Sequence, residues 1–467
     1  MLLDKSAART CSIRAGRLSD VEYADNFDDA KAPLTRAQAL IEAERCYYCY
    51  DAPCISACPT GIDIPAFIQR IAQDNSRGAA RTILEQNPLG GMCARVCPTD
   101  VLCEQACVRN ANESKAVEIG ALQRYATDAH FADPGAPLFT RAAETDRRVA
   151  VVGAGPAGLA CAHGLARRGH SVVLFDALPK PGGLNEYGLA TYKTAGDFAQ
   201  REVRWLLSVG GIEIRSGQVL GRHFSLPDLI RQYDAVFLGL GLAGVKGLGI
   251  DEPNLASIRD AVDFIAELRQ ADSPADVAVG RHVVVIGGGM TAVDAAVQAR
   301  LLGAEQVTIV YRRGPRAMGA SIGEQQWAQV NGVSIRHWAA PKGFVAAGEE
   351  LKGVRFVVTR LEGGCLLETA EEFTLEADMV LKAIGQNYVL GPAGEHIALQ
   401  AGRILTDQNG RTSLSRVWAG GDCRYGGRDL TVEAVEHGKR SAIDIDRVLS
   451  CGPPAVCQCS ESDDGQP

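Results

Sequence analysis

Two glycine turns constrain the fold of this chain more than any other feature. Val149-Ala150-Val151-Val152 is a short apolar run that enters Gly153-Ala154-Gly155-Pro156-Ala157-Gly158. A helical run from Leu159 to Arg168 follows, then a second apolar run, Val172-Val173-Leu174-Phe175, ending at Asp176. Strand, glycine turn, helix, strand and terminal acid make a dinucleotide-binding βαβ unit. The glycines permit a tight turn and close approach to a pyrophosphate, the helix N-terminus faces the phosphate charge, and the acid bonds a ribose hydroxyl. Asp176 falls at the distance of about 20 residues that this role needs.

The pattern recurs. Val283-Val284-Val285-Ile286 leads into Gly287-Gly288-Gly289-Met290-Thr291, an Ala-rich helix runs to Leu302, and a strand covers Val307 to Tyr311. Arg312-Arg313 then stand where the first unit has its acid, with Arg316 close by. An acid there suits the ribose diol of NAD, whereas arginine accommodates the 2′-phosphate of NADP. The reading is NADPH; the alternative is a solvated strand end and NADH.

Gly182-Gly183-Leu184 follow the second strand of the first unit. In two-dinucleotide flavoproteins such a pair lies beside the flavin, which assigns the first unit to FAD. Val417-Trp418-Ala419-Gly420-Gly421-Asp422 resembles the matching signature, in which the Asp bonds the ribityl chain. Leu430-Thr431-Val432 opens a helix whose N-terminal amides would face the flavin pyrimidine edge and favour a reduced, anionic flavin. Leu381-Lys382-Ala383-Ile384-Gly385 resembles the return crossing from an inserted pyridine-nucleotide domain.

Eight of the fifteen cysteines lie between residues 46 and 107 in two groups, Cys46-x2-Cys49-x4-Cys54-x3-Cys58-Pro59 and Cys93-x3-Cys97-Pro98-x4-Cys103-x3-Cys107. In a reducing compartment such a run points to metal rather than disulfides. Structural zinc uses paired Cys-x2-4-Cys knuckles. The first group resembles a ferredoxin run with one spacer lengthened, and both groups carry Cys-Pro, which favours [4Fe–4S] clusters. Zinc and unliganded buried thiols are the alternatives. Around the cysteines, Thr35 caps a helix over 35–46, and Phe67, Ile68, Ile71, Ala79, Ala80, Ile83 and Leu84 mark two more helices, with the cysteines on loops between helices.

The strings "RCYYCYDAPCISACPTGIDIPAFI", "NPLGGMCARVCPTDVLCEQAC" and "IGALQRYA" resemble the N-terminal domain of dihydropyrimidine dehydrogenase. They are similar, less closely, to the small subunit of bacterial glutamate synthase. The resemblance covers roughly residues 30 to 450. It implies cross-ligated clusters, the first on Cys46, Cys49, Cys54 and Cys107 and the second on Cys58, Cys97, Cys103 and Gln123. Cys93 competes with Gln123 for the last place. The family has glutamate at the acid position, where this chain has Asp176.

The implied architecture is an α-helical N-terminal Fe–S domain followed by an α/β two-dinucleotide-binding, Rossmann-like flavoprotein with the NAD(P) domain inserted in the FAD domain. The expected boundaries are 1–140 for the two clusters, 141–250 with 391–450 for FAD, 251–390 for NAD(P)H, and a disordered tail at 451–467. Within the first domain, residues 1–34 read as a partly ordered arm with an acidic patch at Asp25, Asp28 and Asp29. The tail's Cys451, Cys457 and Cys459 have no assigned role.

With 467 residues, about three domains are expected. A net charge of −8 argues against nucleic acid, and the absence of any apolar run near 20 residues argues against a membrane span, so a cytoplasmic location is expected. A nicotinamide gives up a hydride, Fe–S clusters take single electrons, and a flavin does both. No side-chain nucleophile, acid or base is required. The resemblance implies NAD(P)H oxidation coupled to a partner FMN subunit that reduces uracil and thymine. The alternative is a glutamate synthase small subunit or another electron-transfer subunit feeding a ferredoxin-type acceptor.

Overall fold

The computed structural model describes residues 13–389 and 397–451. The cysteine-rich part is helical. Thr35 caps the helix Arg36–Glu44 in a reciprocal box: its hydroxyl accepts from Gln38 N, and the Gln38 side chain accepts from Thr35 N at 2.9 Å. Asp63 caps Ile64–Ala72, where Pro65 sits in the first turn, and Asn75 caps Ser76–Gln86. These helices and Ile119–Ala132 bury one apolar stripe each. Phe67, Ile68 and Ile71 are all 1% exposed or less, worth roughly 1.5–3 kcal/mol of burial apiece. The expectation that the cysteines lie only on loops is corrected at two positions. Cys54 is in the first turn of Pro53–Ala57 and Cys93 is inside Gly90–Val96. Both helices were too short for a periodic pattern to reveal.

Two five-stranded parallel sheets follow. The first has the order Val417–Ala419, Ala235–Leu238, Arg148–Val152, Ser171–Phe175, Ile212–Arg215. Helices Pro156–Arg167 and Thr431–Cys451 cover one face and Leu226–Gln232, with Ile397 and Ile404, covers the other, so all but the edge strand Ile212–Arg215 are continuous apolar runs. The second sheet has the order Val333–His337, Gln306–Tyr311, His282–Gly287, Met379–Ala383, Ile258–Asp260. An antiparallel meander, Ala339–Ala347, Glu350–Glu362 and Cys365–Glu376, covers one face through Val354 and Phe356. The chain leaves the first sheet at Gly244–Val245 and returns at Gln386–Asn387, and these two segments pair with each other. The expected boundary at 390/391 and the tail from 452 lie outside the described residues.

From residue 13 onward the N-terminal arm has defined structure. Ile13–Arg14 pairs with Val279–Gly280, and Ser19 caps the helix Asp20–Asn26. Tyr23 enters the core of the second sheet's fold at 3% exposure. Asn26 donates to Leu301 O at 2.9 Å, and Ala30 N donates to Tyr192 O at 2.9 Å. The acidic patch is not solvated throughout: Asp29 accepts from Arg124 of Ile119–Ala132 at 3.0 Å. One short segment therefore touches all three parts of the molecule. Residues 1–12 of the expected arm lie outside the described residues. Among the described residues no helix is long and apolar enough to cross a membrane.

Candidate functional site

The eight clustered cysteines line two cavities. Cys46, Cys49, Cys54 and Cys107 surround the first, with Ile64, Ile68 and Ile119 behind them. Cys58, Cys97 and Cys103 surround the second, together with Cys93 and Gln123. Among the described residues no three His, Cys, Asp or Glu side chains converge on a position for a single ion. Thiols spread around a cavity suit a polynuclear cluster better than one zinc ion, whose four ligands meet at bond length. Burial pushes the Cys54 thiol up to about 12 and raises Cys46 and Cys103, while a hydrogen bond with Cys93 and burial raise Cys97. Thiolates in such cavities need a compensating positive charge, which bound iron would supply. Gln123, 7% exposed, donates through Nε2 to Gly90 O at 2.7 Å. That bond turns Oε1 away from Gly90 and leaves it the free end of the amide.

Three contacts hold the cysteine-rich part, two of them at the helix Gly90–Val96, against the first sheet's fold. Glu202, fully buried on Phe198–Leu207, accepts from Gly91 N at 2.7 Å and Met92 N at 3.2 Å. Burial pushes its carboxyl up to about 8. Arg95 lies 3.5 Å over the Phe198 ring and pairs with Asp128. Lys439 Nζ donates to Thr60 O at 2.7 Å, two residues beyond Cys58. Glu202 was not anticipated; its sequence signal is a carboxylate at helical spacing between Phe198 and Leu206 on an apolar face.

The first glycine turn is a cradle that side chains would fill. A Cβ on Gly153, whose φ is +101°, would lie 2.2 Å from Gly239 O, and one on Gly158 would lie 1.8 Å from Gly153 O. Gly155 caps Pro156–Arg167 without a side-chain bond, so the helix's first amides, beside Ala157, are free for an anion. Gly183 meets Gly155 backbone to backbone, with its Cβ position 2.7 Å from Gly155 Cα, and Leu184 opens the next short helix. Asp176 accepts from Ala154 N at 2.5 Å and Leu178 N at 2.7 Å. The acid thus ties its own glycine turn, and each oxygen keeps a second lone pair for a ribose hydroxyl. Asp422 follows Gly421, makes no hydrogen bond among the described residues, and is pushed up to about 7, chiefly by burial. Thr431 Oγ1 donates to Asn185 Oδ1 at 2.9 Å. Val432, one residue on, is also part of the second cysteine cavity's wall.

The second glycine turn has the same build. A Cβ on Gly287 would lie 2.2 Å from Ala383 O and one on Gly288 would lie 2.4 Å from the Tyr311 ring, while Gly289 is open. Gly289 caps Met290–Leu301 with no side-chain bond, and Thr291 is in its first turn. Arg312, Arg313 and Arg316 are exposed and enter no ion pair among the described residues. Gly385, at φ +95°, lies at the return crossing beside Lys246. The two folds are joined by charge: Lys193 pairs with Asp294 and Glu324, and Arg269 donates to Glu186 O and Thr194. Sequence reasoning missed this junction, although Asp294 is a lone acid in an Ala-rich helix.

Comparison with known proteins agrees with this layout. The family described as dihydropyrimidine dehydrogenase domain II, 4Fe-4S cluster, matches residues 23–134, and the pyridine nucleotide-disulphide oxidoreductase family matches 147–438. The NAD-dependent dihydropyrimidine dehydrogenase subunit PreT of Salmonella typhimurium is 34% identical, over 94% of this chain and 99% of its own. The glutamate synthase [NADPH] small chain of Escherichia coli is 32% identical, over 92% and 94%. Among solved structures, Mycobacterium tuberculosis FprA in complex with NADPH aligns with a TM-score of 0.55 at 18% identity, covering 66% of this chain and 85% of that one. Thioredoxin reductase of T. acidophilum aligns at 0.51 and 21%, covering 65% and 99%. These last two likenesses bear on the fold.

Proposed function

The chain belongs to the family of the NAD-dependent dihydropyrimidine dehydrogenase subunit and the glutamate synthase small chain, and from that membership we propose that it oxidises NADPH and delivers electrons to a separate FMN subunit that reduces uracil and thymine. It is an oxidoreductase with a 4Fe-4S domain and a flavin and pyridine-nucleotide domain. Bound FAD would turn a hydride into single electrons and two bound [4Fe–4S] clusters would carry them. The chain's residues hold and separate these groups. The turn Gly153–Gly158, with Asp176, Gly183, Leu184, Gly421, Asp422, Thr431 and Val432, holds FAD. Gly287–Gly289, Thr291, Arg312, Arg313 and Gly385 hold NADPH. Cys46, Cys49, Cys54 and Cys107 hold one cluster, and Cys58, Cys97, Cys103 and Gln123 the other.

The observation that carries this reading is Val432. It opens the helix behind Gly421-Asp422 and also walls the second cysteine cavity. The helix that passes Gly421 at Ala434 thus begins at the wall of the cysteine cavity, so one short helical turn spans from the flavin turn to that cavity. The first cavity, which Val432 does not touch, is bordered by the exposed Tyr47.

The test is an anaerobic pull-down from native cells with mass and cofactor analysis. A partner the size of one barrel plus a ferredoxin domain, carrying FMN, together with uracil-dependent NADPH oxidation by the complex, is the expected result. A very large glutaminase-bearing partner moves the assignment to glutamate synthase. No partner, and no uracil-dependent oxidation, overturns it.

A further inference from the structure

The loop after Tyr311 wraps the second glycine turn, and part of its support comes from a residue that no motif explains. The far limb of the loop is tied to the turn itself. Tyr311 Oη donates to Ala317 O at 2.6 Å, and Ala320 N donates to Gly288 O at 3.0 Å. The near limb, with Arg312 and Arg313, leans on Trp338. Trp338 N donates to Arg313 O at 3.3 Å, and Thr359 joins the two by donating from Oγ1 to Arg312 O at 2.7 Å and from N to Trp338 O at 2.9 Å.

At the bend, Gly314 lies against the indole. A Cβ there would be 2.8 Å from Trp338 Cζ2 and 3.2 Å from Cε2. Gly314 has φ −75° and ψ 169°, which any residue can adopt, so the ring and not the backbone requires glycine. Trp338 is itself at φ +60°, a left-handed conformation rare for a bulky residue, and it is 36% exposed. A large aromatic ring held in a strained backbone, half in water, supports a bend flanked by unpaired arginines.

We propose that Trp338 is a positioning residue for NADPH: its indole props Gly314 so that the guanidinium groups of Arg312, Arg313 and Arg316 are held ready for the 2′-phosphate of the nucleotide seated on Gly287–Gly289. This rests on the NADPH reading above and deepens it. A propped loop presents its cations already placed, whereas an unpropped one has to be ordered at binding, which weakens the phosphate contact selectively. The rest of the nucleotide is held by the glycine turn and does not feel the change.

The experiment compares binding of 2′,5′-ADP and 5′-AMP to the cofactor-loaded protein by calorimetry. The wild type is expected to bind 2′,5′-ADP at least about tenfold tighter. Trp338→Gly, which removes the ring and relieves the left-handed strain, should lose most of that margin while leaving 5′-AMP affinity within about twofold; Trp338→Phe should keep it. Gly314→Ala, which pushes the bend off the indole, should reproduce the loss and covers the case of a misfolded Trp338 variant. A Trp338→Gly protein that keeps the full margin overturns the role, as does one that loses affinity for both nucleotides equally. A wild type without preference for 2′,5′-ADP overturns the NADPH reading, and this proposal with it.

Discussion

Lys193 Nζ lies 2.7 Å from Asp294, and the two residues belong to different folds. Glu324 adds a second carboxylate at 3.0 Å, and the Asp294 side chain is only 4% exposed. Burial works against the lysine's charge, but the two acids outweigh it and raise its pKa. Asp294→Ala leaves the buried lysine only the half-buried Glu324 and takes the acceptor from Ala190 N and Tyr192 Oη, so it should destabilise the protein by about 3 kcal/mol. Replacing both, Lys193→Met with Asp294→Leu, should return most of that loss. Chemical denaturation of the three proteins checks this; equal stability of wild type and Asp294→Ala would refute it.

The arm is expected to act as a strap on the nicotinamide fold. Tyr23 is buried among that fold's apolar residues, and its hydroxyl accepts from Arg17 N at 3.0 Å. Tyr23→Ala should cost about 3 kcal/mol, in line with aromatic-to-alanine changes in cores. Flavin and iron content should be unchanged, because no residue proposed to hold either group lies on the arm and the Asp29–Arg124 pair is kept. Limited proteolysis should then cut first in residues 13–35. Loss of iron in step with the melting temperature would show the arm to be part of the cluster domain instead.

Much of this architecture is legible in the sequence, for a physical reason. Glycine turns, caps and cysteine spacings are local, and each forms by contacts within a few residues: Thr35 with Gln38, or Gly153 with Gly158. What escaped detection depends on partners remote in sequence. Asp29 and Arg124 are 95 residues apart, and nothing near Asp29 distinguishes it from a solvated acid. Glu202 reads as an ordinary helix acid until Gly91 and Met92, more than a hundred residues earlier, bring their amides to it. The meander was missed because only its middle strand, Glu350–Glu362, buries a row of side chains, while the flanking strands are largely half-buried or exposed.

Glu202 makes a prediction about pH. Burial raises its carboxyl to about 8 in the folded chain, against roughly 4.3 unfolded. A raised carboxyl contributes stability that is complete below the unfolded value and is lost as pH rises through the folded one. Wild-type stability should therefore fall between about pH 4.3 and 8 relative to Glu202→Gln, by at most about 1.4 kcal/mol per pH unit. The glutamine keeps an acceptor for Gly91 and Met92 and does not titrate. Denaturation midpoints of both proteins at pH 5, 7 and 9 check the sign; parallel curves would mean that Glu202 is not buried as an acid.

Nucleotide choice should rest on the loop after Tyr311. Arg312 and Arg313 are exposed and unpaired among the described residues, so little in the fold depends on their charge. Arg312→Gln with Arg313→Gln should raise the KM for NADPH at least about tenfold, and that for NADH by less than about twofold. Steady-state reduction of an artificial one-electron acceptor reads both constants. Equal effects on the two nucleotides would assign the arginines to general charge rather than to the 2′-phosphate.

Gln123 and Cys93 both line the second cysteine cavity, so either can supply its fourth ligand. The bond from Gln123 Nε2 to Gly90 O supports the assignment to Gln123. It fixes the amide so that the oxygen, the only end able to bind iron, is the end left free. A Cβ on Gly90 would lie 2.5 Å from Ile83 Cγ2, so the carbonyl that orients Gln123 belongs to a residue with no room to change. Gln123→Ala should accordingly alter the spectrum and potential of one reduced cluster and leave the other intact. Cys93→Ala should keep two clusters and the full iron content. Electron paramagnetic resonance of the dithionite-reduced proteins, with iron and sulfide analysis, separates the cases. If Cys93→Ala loses one cluster and Gln123→Ala loses none, the ligand is the cysteine, and the bond to Gly90 serves packing alone.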